Sequence, residues 1–316
     1  MLDRIAEIIN AGSRFLIASH VRPDGDSIGS VLALYHMLKD RGKESVVYSQ
    51  DKTPDVYSFL PGTEVIVHRL EQGMSFDAVV LLDCSDIDRV GDEAPIIGTM
   101  NPIINIDHHR SNTVVAPYSV VDTEASSTGE ILCRLMKRAG VTITPDIAVN
   151  IYTALLTDTG SFRYSNTGSE TLRMAAEMVD RGADARFIAE HIYETTPLVK
   201  IRLMERGLQT LEFDRDGTVG SLVVTGNMLE ETGALPEHTE GLVDLVRSIN
   251  GVMIAVFYQE MTDGTFKASL RSKGDADVSR IAQAFGGGGH LNASACMIEG
   301  DIATVKEKLL EAIPRG

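Results

Sequence analysis

Along the first half of the chain, short runs of uninterrupted apolar residues alternate with longer stretches whose apolar positions recur every three or four residues. The runs are Phe15-Leu16-Ile17-Ala18-Ser19, Val46-Val47-Tyr48, Ala78-Val79-Val80-Leu81-Leu82 and Ile103-Ile104-Asn105-Ile106. They show no in–out alternation, which suits strands of a parallel sheet covered on both faces. Residues 1–9 read as an amphipathic helix, and helical periodicity returns over 27–38, 123–139, 145–156 and 170–181. The 123–139 helix opens on Ser126-Ser127-Thr128 with Glu130 nearby, a capping pattern. Gly182 stops the 170–181 helix. Strands alternating with helices predict an open, doubly wound α/β domain. In such sheets ligands bind at the carboxyl ends of the strands.

The pattern changes after residue 184. Residues 184–208 are helical, with a break at Thr195-Thr196-Pro197. Strands follow at 217–224, 252–258 and 265–271, the last two joined by an Asp263-Gly264 turn into a hairpin. Helices are predicted at 239–248, 278–285 and 302–313. The expected organisation is a catalytic domain over 1–184, a helical linker over 185–208 and a smaller α+β domain over 209–316.

At 316 residues the chain is long for one core. No apolar run approaches the roughly 20 residues that span a bilayer. The first residues lack the basic and apolar regions of a signal peptide. Cys84, Cys133 and Cys296 are widely spaced and match no zinc pattern, as in a reduced cytoplasmic protein. The net charge of −16 argues against a partner made of long nucleic acid, because phosphate neutralisation dominates such binding. A small phosphate ester held by metals and a few cations stays compatible with it.

Four clusters carry candidate chemistry: His20 with Asp24 and Asp26, Asp83, Asp107-His108-His109, and Asp158. Each has an ordinary reading taken alone: Asp24, Asp26 and Asp83 as helix caps, Asp158 as a turn residue facing an unfavourable helix dipole. Taken together, carboxylates gathered at one end of a sheet repel one another, and a pair of divalent cations removes the objection. Imidazole with carboxylate suits manganese or magnesium. In the second half, Gly286-Gly287-Gly288-Gly289-His290 reads as a loop whose backbone N–H groups can approach phosphate or base. Arg271 can grip a phosphate bidentately. His36, His68, His191 and His238 read as surface or helix-face residues, and Cys84 as a buried small hydrophobe.

Ser19-His20-x3-Asp24-x-Asp26-Ser27, Leu82-Asp83-Cys84-Ser85-Asp86, Asp107-His108-His109 and Thr157-Asp158-Thr159-Gly160 resemble the motifs of the DHH-family phosphoesterases. Leu270-Arg271-Ser272 and Phe285 through His290 resemble the DHH-associated domain. Over nearly its whole length the chain is similar to the bacterial bifunctional oligoribonuclease/pAp phosphatases, or nanoRNases. The resemblance implies a doubly wound DHH domain with an α+β DHH-associated domain. It implies two Mn²⁺ ions per site, with Mg²⁺ or Co²⁺ as substitutes. His20 and Asp24 would hold one ion, Asp26, His108 and Asp158 the other, and Asp83 would bridge them. Asp107 would orient a histidine and His109 would face the scissile phosphate, with a bridging water as nucleophile. Arg271, Ser272, Gly286, Gly287, Gly288, Gly289 and His290 would bind substrate.

The implied activity is hydrolysis of oligonucleotides of about two to five residues to nucleoside monophosphates, and of 3′-phosphoadenosine 5′-phosphate (pAp) to AMP. A cyclic-dinucleotide phosphodiesterase acting on c-di-AMP or linear pApA shares the same motifs. A single-strand exonuclease like RecJ would want a basic track. A non-catalytic nucleotide-binding regulator has no need of six metal ligands. No membrane partner is expected; a homodimer is the commonest assembly, and the sequence identifies no interface.

Overall fold

A computed structural model describes residues 1–314 apart from Gln72 and Thr262, and apart from the side chain of His290. The chain divides into two compact units, Met1–Thr195 and Thr196–Gly316. The division falls inside the 185–208 segment.

The first unit begins with α1 (Leu2–Ala11), β1 (Arg14–Ala18), α2 (Gly25–Asp40), β2 (Glu44–Tyr48), β3 (Ile66–Val67) and β4 (Ala78–Leu82). It continues through α3 (Ala94–Ile97), β5 (Ile103–Asp107), β6 (Tyr118–Val121), α4 (Thr128–Arg138), α5 (Pro145–Asp158), α6 (Ser169–Asp180) and α7 (Ala185–Tyr193). The six strands form a parallel sheet in the order β3-β2-β1-β4-β5-β6. Strand order reverses between β1 and β4, the switch point where such sheets leave a crevice.

The apolar strands behave as their composition dictates. Phe15 and Ile17 of β1, with Ala78, Val80 and Leu82 of β4, pack into one core with α1, α2, α4 and α5. Leu16 and Ala18, with Val79 and Leu81, point the other way, against Cys84, Val90, Ala94 and Ile97. The second face is therefore covered by short turns and α3 rather than by long helices. The edge strands β3 and β6 were not legible: β3 has two residues and β6 none fully buried, so neither makes an apolar run. His36 is a correction. It is buried in α2, with Nε2 2.9 Å from the Pro61 carbonyl, because α2 is enclosed along most of its length.

The second unit comprises α8 (Leu198–Leu208), β7 (Glu212–Asp214), β8 (Val219–Val224), α9 (Gly226–Thr232), α10 (Leu242–Ser248), β9 (Ile254–Glu260) and β10 (Thr265–Ser272). It ends with α11 (Val278–Gln283), β11 (Gly288–His290), β12 (Ala293–Glu299) and α12 (Ile302–Ala312). Its sheet runs β11-β12-β10-β9-β8-β7, antiparallel except for the β8–β9 pair. The β9–β10 hairpin is the expected one. The sequence did not predict β12, whose buried positions are the small residues Ser294 and Cys296 with Ile298, a weak strand signal.

α2 lies directly on α5. A Cβ on Gly29 would stand 2.5 Å from the Asn150 carbonyl oxygen, and one on Gly25 2.4 Å from Thr157 Oγ1. Gly29→Val is therefore expected to destabilise the protein by about 1–3 kcal/mol through overpacking. Thermal denaturation checks this, and an unchanged Tm would show that the two helices have room to part.

Candidate metal centre

The clusters named by the sequence converge on the switch point. His20 follows β1, Asp83 follows β4, and Asp107 is the last residue of β5 with His108 and His109 beyond it. Asp24 is the N-cap of α2, its Oδ1 accepting from the Ser27 amide at 3.0 Å, and Asp26 sits in the first turn. Capping does not consume Asp24, because Oδ2 faces His20 Nε2 at 3.9 Å. Asp158 is the last residue of α5. The contact of α5 on α2 thus carries Asp158 toward Asp26. Asp83 adopts φ +55°, a left-handed backbone that costs a non-glycine residue energy.

Three groups of donors could each hold a metal ion: His20, Asp24 and Asp83; Asp26, His108 and Asp158; and Asp83, His108 and His109. Asp83 belongs to two sides at once. Its Oδ2 lies 3.4 Å from His20 Nε2 and its Oδ1 3.7 Å from His108 Nε2. His108 Nε2 is also 3.4 Å from Asp158 Oδ2 and 3.9 Å from Asp26 Oδ2. These separations exceed hydrogen bonds and match the span of two donors each about 2.1 Å from one ion. His108 Nε2 is buried and has no hydrogen-bond partner, while its ring bonds to the backbone of Ala125. His20 Nδ1 lies 2.9 Å from the Val21 carbonyl, which leaves Nε2 free as a ligand. The residues present fit divalent cations.

Electrostatics point the same way. Burial, then Asp158 and Asp24, raises the Asp26 carboxyl well above the ordinary range; burial, then Asp26 and Asp24, does so for Asp83. Burial and then Asp24 push Asp158 up to about 7. Burial lowers His20 and His108, favouring neutral imidazoles. Asp107 behaves differently. Burial raises it, but bonds from His109 and Asn112 prevail and hold it below the usual range. Its Oδ1 receives the backbone N–H of His108 at 2.8 Å and pairs with His109 Nδ1 at 2.7 Å, and its Oδ2 receives Asn112 Nδ2 at 2.5 Å. The bond between His109 Nδ1 and Asp107 raises His109 toward its cationic form. Cys84 is fully buried, its thiol pushed up to about 12 by burial, so it offers no thiolate.

Several participants carried no sequence signal. The Thr128 and Gly129 amides donate to Asp26 at 2.7 and 2.9 Å, and the Thr128 hydroxyl to Asp83 at 3.1 Å. Asn112 clamps Asp107, and the charge of Arg89 reaches His20 and His109. The small-polar run 126–129 was the available clue.

In the second unit, Arg271 is half-buried on β10 with Nη1 donating to the Leu270 carbonyl at 3.0 Å. Ser272 is buried; its hydroxyl donates to the Ala276 carbonyl and accepts from Asn292 Nδ2 at 2.9 Å. The glycine run is not a loop throughout. Gly286 and Gly287 amides close α11 by donating to the Gln283 and Ala282 carbonyls, and residues 288–290 form edge strand β11. Gly287 and Gly289 are required by close approach, since a Cβ there would stand 2.2 and 2.4 Å from the Ala295 and Ala293 carbonyl oxygens. The His290 side chain lies outside the described residues.

Comparison with known proteins finds the model of the DHH family, N-terminal domain, over residues 14–157, and that of the DHHA1 domain over 220–315. The chain is 36% identical to the bifunctional oligoribonuclease and PAP phosphatase NrnA of Thermus thermophilus, covering 98% of this chain and 92% of that one. It is 28% identical to the cyclic-di-AMP phosphodiesterase PdeA of Listeria monocytogenes, over 98% of this chain and 48% of the other. A crystal structure of an exopolyphosphatase-related protein from Bacteroides fragilis superposes with TM-score 0.92 at 30% identity, covering 99% and 95% of the two chains.

A raised carboxyl pKa means that the folded, metal-free chain keeps protons that the unfolded chain has released, so rising pH favours unfolding until the folded pKa is passed. Above about pH 6.5 unfolded histidines shed their remaining protons while buried His20 and His108 are already neutral, a smaller effect of opposite sign that the acids and His109 outweigh. Chelated protein should therefore lose roughly 5 °C or more of Tm between about pH 6.5 and 8.5. A divalent cation should restore it most at the alkaline end. A flat or rising Tm without metal would contradict the assignment.

Proposed function

This chain belongs to the DHH family of phosphoesterases, hydrolases of phosphoric ester bonds, and on that premise we propose that it hydrolyses very short oligoribonucleotides to nucleoside monophosphates and pAp to AMP, with Mn²⁺ as its metal. The observation that carries the reading is the split of Asp83, one oxygen toward His20 and the other toward His108, in a chain similar from end to end to an oligoribonuclease and PAP phosphatase.

In this reading His20 and Asp24 would hold one cation, Asp26, His108 and Asp158 the other, and Asp83 would contribute to both. The donors are oxygen and imidazole without thiolate, which suits Mn²⁺. Cations held there would supply positive charge for the phosphoryl oxygens and Lewis acidity toward water. The protein's own groups do the rest. Asp107 fixes the His109 ring and favours its protonated state, so His109 is placed to donate to a phosphate or leaving oxygen. Its partial exposure leaves it within reach of substrate. Arg271, the Gly286–Gly289 backbone and His290 are proposed to bind a substrate phosphate or base; Ser272 acts by holding its own segment to Ala276. A short substrate accords with the acidic net charge, which disfavours long polyanions.

The second reading, a cyclic-dinucleotide phosphodiesterase, draws on the similarity to PdeA over almost the whole of this chain. A non-catalytic regulator would bind nucleotide without turnover.

The test is turnover, with Mn²⁺, of an RNA dinucleotide, pAp, c-di-AMP and a single strand of about 20 nucleotides. Rapid cleavage of dinucleotide and pAp is expected. Asp83→Ala and His108→Ala should lower kcat roughly a thousandfold or more. Arg271→Ala should raise KM about tenfold with kcat nearly kept. Preference for c-di-AMP would transfer the assignment to the second reading, and preference for the long strand would refute the argument from charge.

A further inference from the structure

One residue outside the ligand set stands behind three of its members. Glu130 lies in the first turn of α4 and is 3% exposed. Helix capping does not require its carboxylate, because Ser127 Oγ already caps α4 by accepting the Glu130 amide at 3.1 Å. The usual capping-box glutamate reaches back to the N-cap amide. This one reaches a residue further: its Oε2 accepts the Ser126 amide at 3.2 Å and the Ser126 hydroxyl at 2.6 Å. The same oxygen accepts the Thr171 hydroxyl at 2.9 Å, and Oε1 pairs with Arg134. Arg134 in turn holds Asp122 at 2.7 Å, and the Asp122 amide donates to the carbonyl of Asp107 at 3.0 Å.

The loop so gripped is the one that touches the metal centre. Two and three residues beyond Ser126, Thr128 and Gly129 give their amides to both oxygens of Asp26, and the Thr128 hydroxyl reaches Asp83. The Ser126 carbonyl accepts from Asn166 Nδ2 at 3.0 Å, and that amide also reaches the Asp158 carbonyl at 3.2 Å. A shift of Ser126 by a few tenths of an ångström would be passed to Asp26, Asp83 and Asp158 together. A Cβ on Gly129 would stand 2.6 Å from Ala154 Cβ, so the first turn of α4 has no slack against α5. Burial works against the Glu130 charge, but its bonds from Ser126, Arg134 and Thr171 prevail and keep it ionised.

We propose that Glu130 is the positioning residue of the metal centre: by anchoring Ser126 it sets the Thr128 and Gly129 donors that orient Asp26 and Asp83 for divalent cation binding. Outer hydrogen-bond partners of metal ligands are typically worth 10–100-fold in metal affinity. The inference rests on the metal-binding part of the function proposed above and not on the choice of substrate.

The test is the Mn²⁺ affinity of folded, chelator-stripped protein by calorimetry, for wild type, Glu130→Gln and the milder Thr171→Val. Thr171→Val removes one bond to Oε2, along with the Gly168 amide's bond to the same hydroxyl, and guards against a Glu130 variant that fails to fold. Affinity should fall about tenfold or more in Glu130→Gln and about threefold in Thr171→Val. On whichever substrate is turned over, the Mn²⁺ concentration for half-maximal kcat should rise in parallel while substrate KM stays put. Variants that melt earlier yet bind Mn²⁺ as wild type does would reduce Glu130 to a stabilising role and overturn the proposal. Wild type that binds no divalent cation would overturn both this inference and the metal reading beneath it.

Discussion

Like charges buried at one end of a sheet are the constraint around which the first unit is built. Asp26 and Asp83 are almost wholly enclosed, with Asp24 and Asp158 beside them. Without counter-charge they cannot all ionise, and the raised carboxyl pKa values express that conflict. The fold does not relieve it with lysine or arginine, because among the described residues no salt bridge to either reaches these four carboxylates. It supplies neutral donors instead, backbone amides and a threonine hydroxyl, which orient the carboxylates without neutralising them. A site left negative but oriented is a site prepared for cations.

Much of this centre was legible because the chain writes it in side chains that follow apolar strands. His20, Asp83 and Asp107-His108-His109 fall where a doubly wound sheet presents ligands, and the parallel sheet could be read from the missing alternation. What was not legible is carried by groups without a side-chain signature. The Thr128 and Gly129 amides exist at every residue, and only the packing of α4 beside α2 gives those two a task. The burial of His36 depends on how deeply α2 is enclosed, which periodicity does not report. In the second unit, small residues in β12 and glycines in β11 hid a strand pair that the composition read as loop.

The two sets of candidate residues differ in kind. The metal centre is over-determined: Asp83, Asp26, Asp107 and His20 each have bonds that fix them before any ion arrives. Arg271 is less tied: among the described residues its guanidinium bonds to the neighbouring Leu270 carbonyl. Rigid groups suit chemistry that depends on fixed charge placement, while a freer guanidinium can follow substrates of differing shape. This division fits the proposed activity on several related phosphate esters.

The contact of α2 on α5 has a mechanical meaning. Gly25 and Gly29 let the two helices touch, and one carries Asp24 and Asp26 while the other ends in Asp158. Helices in such contact act as a gauge block: the gap they set does not vary with the breathing of surface loops. On the proposed metal reading, an ion of the wrong radius would have to strain the joint between two rods, a stiffer spring than a loop of equal length, and selectivity among cations would then be a property of how the core packs.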